Sequence, residues 1–211
     1  MATQNPAASI QTPTDLVNNS LRRIGYKKRI GNIFDGSAAS KIALDLYAQT
    51  RDQLMFENDW GFAERNVVAT LLKQAPAQGY FPPVQWDPTV NPSPPWLFEY
   101  TYPTDALKIR AMRAMPLFTF DFDPQPNVFA TENDNYYTPA QRVILCNVPN
   151  AMIVYTGRVN DLTTWDDDAI EAFASALGRR LAPALADLNA AKLAAADEAQ
   201  EKADSTSERP V

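Results

Sequence analysis

The sequence predicts an α+β fold: a helical bundle made from both chain ends, with a proline-rich β insertion between the second and third helices. Three observations predict it. Apolar residues recur at helical spacing near both ends of the chain. Thirteen of the 17 prolines lie between Pro76 and Pro149, where a helix interior is excluded. Short aromatic and β-branched runs alternate with those prolines.

Residues 1–12 are small, polar and aperiodic, and read as an N-terminal arm. Thr12 then offers an N-cap, Pro13 suits the first turn, and Asp15 stands where a capping carboxylate is favoured. Leu16, Val17, Leu21 and Ile24 make an apolar stripe, and Gly25 is the natural stop. A second helix is capped by Asp35 or Ser37, and Ala39, Ile42, Ala43, Leu46, Tyr47, Thr50 and Leu54 recur along one face. It fades at Glu57–Asn58, where Trp60 and Phe62 supply an aromatic anchor.

Strands are expected at 66–72, 96–101, 107–114, 143–146 and 152–156. Segment 74–95 reads as a long ordered loop or flap, and 118–137 as a second long loop. Asp166, Asp167 and Asp168 open a third helix, where carboxylates complement the dipole. Its stripe is Ile170, Phe173, Ala174, Leu177, Leu181 and Ala184, and Pro183 should kink or break it. Alanine-rich helix resumes from about 184 to 203. The resulting division is a bundle domain of 13–65 plus 159–203, a β-rich insertion of 66–158, and a flexible tail of 204–211. The expected helical core is Ile42, Leu46, Leu54, Trp60, Phe62, Phe173, Leu177 and Leu181.

Composition narrows the function. The chain has no histidine, which removes histidine-based triads and the commonest metal ligand. Its one cysteine, Cys146, excludes an intrachain disulfide and reads as a buried inert thiol. No glycine-rich phosphate loop is present, so no nucleotide cofactor is expected. Neither a membrane span nor a secretory signal is expected. Asp121 with Asp123, and Asp166–Asp168, could hold a divalent cation, but a surface turn and helix capping are the simpler readings. No catalytic or metal-ligating set is expected from either.

Charge is unevenly placed. Residues 1–160 carry 14 basic and 14 acidic side chains, and residues 161–211 carry 5 and 11. Near the start lies a basic block of Arg22, Arg23, Lys27, Lys28 and Arg29. Such blocks are solvated faces or complementary subunit surfaces.

Three ordered segments carry a resemblance. The first is Arg51-Asp52-Gln53-Leu54 leading to Asp59-Trp60-Gly61-Phe62-Ala63. The second is the aromatic strand Phe98–Tyr102 followed by Pro103-Thr104-Asp105 and the strand from Leu107. The third is Tyr155-Thr156-Gly157-Arg158-Val159-Asn160-Asp161, then Trp165 and the helix through Gly178-Arg179-Arg180-Leu181-Ala182-Pro183. With the N-terminal helical pair ahead of them, these resemble the tail tubular protein A-like head-to-tail adaptor family of tailed bacteriophages, over roughly residues 14–190.

The resemblance implies a structural virion protein, made in the host bacterial cytoplasm, that is not an enzyme. It implies a homo-oligomeric ring, typically a dodecamer, beneath the portal protein. Such a ring retains packaged DNA, lets it pass without sequence-specific binding, and gives the tail nozzle or tube its platform. The basic block would then serve subunit contacts, and Ala191, Lys192, Leu193 and Val211 would be candidate portal contacts. Two other readings stay open: a carboxylate-dependent cell-wall glycan hydrolase of the virion, which needs no histidine, and a nucleic-acid-binding module using Arg22–Arg29.

Overall fold

A computed structural model describes residues 12–77, 85–114 and 128–207, with side chains described as far as Asp187. The chain divides into two compact units, Met1–Leu54 with Asn160–Val211, and Met55–Val159.

The first unit is helical. Helix α1 spans Pro13–Arg23, and Thr12 caps it by accepting from the Asp15 N–H at 3.1 Å. Gly25 takes φ +75°, a left-handed conformation that turns the chain out of the helix. Helix α2 spans Ala38–Glu57, its last residues counted with the second unit. Ser37 caps it: its Oγ accepts from the Ser40 N–H and its carbonyl from the Lys41 N–H. Helix α3 spans Asp167–Ser207. It packs closely on α1 because Gly178 carries no Cβ; one placed there would meet the Ser20 carbonyl oxygen at 3.2 Å. Arg23 of α1 reaches Glu171 and Ser175 of α3. Phe173 is fully buried between Tyr47, 5.1 Å away, and Trp165, which meets it edge-on at 5.7 Å. Leu177 and Leu181 continue that buried face.

The second unit is a two-sheet sandwich. Strands β1 (Glu64–Val68), β7 (Ala151–Gly157) and β4 (Ala106–Ala114) form one antiparallel sheet in the order β1-β7-β4. Strands β2 (Leu71–Gln74), β3 (Phe98–Thr101), β6 (Gln141–Cys146) and β5 (Phe129–Asp134) form the other, in the order β2-β3-β6-β5. Tyr100, Ile144 and Cys146 from one sheet meet Ile109, Met112, Ile153 and Tyr155 from the other in a single apolar cluster. The Tyr100 hydroxyl donates to the Val148 carbonyl at 2.7 Å, so its polar end is satisfied inside that cluster. Arg110 pins the turn ahead of β1. Its guanidinium donates to the Trp60 carbonyl at 2.7 Å, to Glu64 at 3.0 Å and to Thr156 at 2.8 Å.

Several expectations are corrected. The chain is not a helical bundle from both ends. Among the described residues, three α-helices and two antiparallel sheets, of three and four strands, make a mixed α+β fold. The physical reason is that the sheets own their core. Among the described helices, α1 and α3 pair with close backbones, whereas α2 reaches α3 through side chains such as Tyr47 and Thr50. The run expected as one strand at 66–72 is two. Ala69 donates to the Ala151 carbonyl in one sheet, and Thr70 accepts from Thr101 in the other, so the chain changes sheets there. The stretch expected as a loop at 118–137 contains β5, an edge strand whose polar sequence FATEND conceals it. Pro183 does not break α3, which runs on as one helix. Pro183 and Arg179 are exposed, so the carbonyl that loses its partner can turn to water. Among the described residues no helix is long and apolar enough to cross a membrane.

Truncating Phe173 to Ala should cost about 3–5 kcal/mol, since a fully buried ring leaves a cavity between Tyr47 and Trp165. Urea unfolding measures this directly, and an unchanged midpoint would show that Phe173 is not a core residue.

Candidate functional site

The second unit buries a charge cluster. Lys73 of β2 stands in register with Glu99 of β3 on the outer face of the four-stranded sheet. Residues 85–97 cross that face. Lys73 is 6% exposed, Glu99 1% and Asp134 5%. The Lys73 ammonium bonds the Asp134 carboxylate, donates to the Pro88 carbonyl at 2.9 Å, and lies 3.6 Å from Glu99 Oε2. It also sits over the Tyr137 ring, 4.9 Å from its centre. Glu99 Oε1 is buried with no hydrogen-bond partner among the described residues.

Further bonds fix the loop. The Trp86 indole donates to the Pro92 carbonyl at 2.9 Å, Ser93 donates to Glu132 at 2.8 Å, and the Leu97 N–H donates to Asn147 at 2.9 Å. Between loop and sheet lies a cavity of about 170 Å³. Lys73, Trp86, Glu99, Glu132, Asp134 and Tyr136 are among its lining residues, so three carboxylates face one ammonium.

The cluster's ionisation follows from its burial. Burial pushes the Glu99 carboxyl up to about 7 against the pull of Lys73, and the Asp134 carboxylate adds to the rise. For Lys73, burial favours the neutral amine, but bonding to Asp134 and the Glu99 charge outweigh it and raise the pKa. For Asp134, burial is likewise outweighed, by Lys73 and the Tyr136 N–H, and the pKa falls.

A second surface lies in the first unit. Lys27, Lys28 and Arg29 are consecutive and exposed. Their loop is fixed at both ends: the Tyr26 N–H donates to the Leu21 carbonyl at 3.0 Å, and Asn18 exchanges two hydrogen bonds with the Ile30 backbone at 3.0 and 3.1 Å. None of the three makes an ion pair among the described residues. Phe34, a few residues on, is 75% exposed.

The five basic residues expected to act together are therefore divided. Arg22 donates to Asn19 at 2.8 Å and Arg23 is held by Glu171, so both serve their own unit, while Lys27, Lys28 and Arg29 face outward. Of the expected core, Leu54, Phe173, Leu177 and Leu181 are buried, and Ile42 and Leu46 are half-buried. Trp60 and Phe62 fall in the second unit, half-buried, with ring centres 6.1 Å apart. Ala191, Lys192 and Leu193 lie on α3 with side chains outside the described residues; Val211 lies outside altogether, as do Asp121 and Asp123. Asp166–Asp168 are exposed at the start of α3, and among the described residues no group of three acidic or sulfur ligands is placed to hold a metal ion. Cys146 is buried, and burial pushes its thiol up.

Sequence reasoning passed over Lys73, Glu132 and Asp134, and treated Glu99 as one residue of an aromatic strand. The available signal was a lone charge within each of two short apolar runs, LLKQ and FEYT, of opposite sign. The chain matches no protein-family model and no curated protein.

Two predictions follow from the cluster. Lys73→Met leaves the buried Asp134 carboxylate without its counter-charge and should cost about 3–5 kcal/mol; a loss within the range of an exposed pair, about 0–1 kcal/mol, would contradict the burial described. The second concerns pH. Between about 4.5 and 7, folded Glu99 holds a proton that the unfolded chain releases. Its contribution is complete at acid pH and declines as pH rises through that window. Glu99→Gln should match the parent near pH 4.5 and exceed it in stability above pH 7. A variant that loses stability as pH rises relative to the parent would reverse this assignment.

Proposed function

We propose that this chain is a structural virion protein, a ring-forming head-to-tail adaptor that sits beneath a portal and provides the platform for a tail nozzle or tube. The observation that carries this reading is the fixed, outward loop Lys27–Arg29, held by Asn18 and left without an ion-pair partner among the described residues. A rigid cationic loop beside an exposed phenylalanine is an unfilled half of a protein contact. Repeating one such heterologous contact around an axis closes a ring. The ordered motifs from Arg51 to Pro183 support the same family, with the portal, the tail protein and neighbouring copies as partners and DNA passing through the channel. The location that goes with this reading is the head–tail interface of the virion.

A carboxylate-dependent glycan hydrolase is the second reading, and Glu99 favours it: a carboxyl near 7 beside Asp134 has the ionisation of a general acid. Both groups are buried and bound to Lys73, however, which is the arrangement of a structural charge cluster. The Glu99→Gln chain assayed on cell-wall glycan separates the two. Wall degradation lost with that substitution would replace the adaptor reading.

Electron microscopy of the purified chain, alone and mixed with purified portal rings of tailed bacteriophages, tests the adaptor reading. Closed rings seated on the portal are the expected result. A chain that remains monomeric and leaves portal particles bare would contradict it.

A further inference from the structure

The cavity over the four-stranded sheet is acidic and incompletely satisfied. Three carboxylates line it against one ammonium. Asp134 and Pro88 already take Lys73 protons at close range, and Glu99 turns Oε2 toward Lys73; its Oε1 stays buried without a hydrogen-bond partner among the described residues, and the Glu132 carboxylate is bonded through Oε1 to Ser93. A buried acceptor without a donor costs free energy that an incoming N–H group would recover. The rim is aromatic: Trp86 is 40% exposed and Tyr136 61%. Carboxylates and two partly exposed aromatic side chains together line a receptacle for a cationic side chain. The cavity, about 170 Å³, is below the ~300–1,000 Å³ of pockets for drug-sized ligands and suits one side-chain head.

We propose that this cavity receives a basic side chain of the Lys27-Lys28-Arg29 loop from a second copy of this chain. The inference rests on the ring reading and names the contact that would close the ring. Charge complementarity selects the occupant. The loop carries three consecutive exposed cations without ion-pair partners among the described residues, and the cavity has a carboxylate excess. Both halves are fixed in advance, the loop by Asn18 and the cavity by Trp86, Ser93 and Leu97, so little order is lost on joining them. Arginine suits the site best, because its planar fork can bond the carboxylates while its face lies on an indole or phenol ring. A head-to-tail contact of this kind joins two different surfaces, as a closed ring requires.

Two measurements test it, both on the full chain. In the first, the probe is an amidated peptide of residues 24–32, titrated while the Trp86 indole and Tyr136 are followed by NMR. Shifts confined to the cavity are expected, with affinity falling about tenfold in Glu132→Gln, which keeps the Ser93 bond but removes a charge. A peptide that leaves these signals unmoved, or that binds Glu132→Gln as well as the parent, overturns the proposal. The second follows assembly by sedimentation. Glu132→Lys should lose rings, as should Lys27→Glu/Lys28→Glu/Arg29→Glu, and the chain carrying all four changes should recover them. Rings from the parent together with normal rings from either partial variant overturn this contact while leaving the adaptor reading standing. A parent that forms no rings although its cavity binds the peptide overturns the adaptor reading, and the cavity's preference for the basic loop still stands.

Discussion

The outer face of the β unit depends on one ammonium group. Lys73 neutralises Asp134, faces Glu99 across the strand pair and holds the Pro88 carbonyl of the overlying loop. Without it, the Asp134 carboxylate would be buried with no counter-charge, a penalty of about 3–5 kcal/mol. Burial opposes every charge in the cluster, and the outcome differs by residue. Asp134 and Lys73 are held ionised by direct contact, while Glu99, farther from the ammonium, is left near neutrality. The same bonds seat the loop of residues 85–97, so a proline-rich segment with few ladder bonds is ordered through its carbonyls and side chains.

The charge that sequence counting places in one basic block has two roles in the structure. Arg22 and Arg23 stay on α1, and Arg23 joins it to α3. The next three cations follow the left-handed turn at Gly25 and make no ion pair among the described residues. This division arises from helix geometry. The residues within the last turn of α1 can reach α3, and those beyond Gly25 cannot continue along that face. The proposed assembly uses what the fold leaves over, an outward cationic loop in one unit and a carboxylate excess in the other.

The helix ends were legible in the sequence because capping is local. Thr12-Pro13 and Gly25 bound α1 as their backbone preferences require, and Ser37 rather than Asp35 proved to be the cap of α2. The buried stripe of Phe173, Leu177 and Leu181 was legible from its spacing. What was not legible depends on partners distant in sequence. The sheet change at Ala69–Thr70 is set by hydrogen bonds to Ala151 and Thr101, and β5 is a strand because β6 pairs with it. Trp60 and Phe62 sit at a helical boundary, and sequence pattern alone joined them to the helices. The charge cluster joins β2, β3 and β5, which lie far apart in sequence, and no local period marks Lys73 or Asp134 as belonging together.

The central claim is that the buried ammonium is held charged by its carboxylates against the cost of burial. NMR titration of the Lys73 ammonium in the folded parent chain measures that balance most directly. The account predicts a slowly exchanging ammonium signal whose titration midpoint lies above the ordinary lysine value of 10.5. A midpoint below that value, with burial prevailing over Asp134 and Glu99, would contradict it.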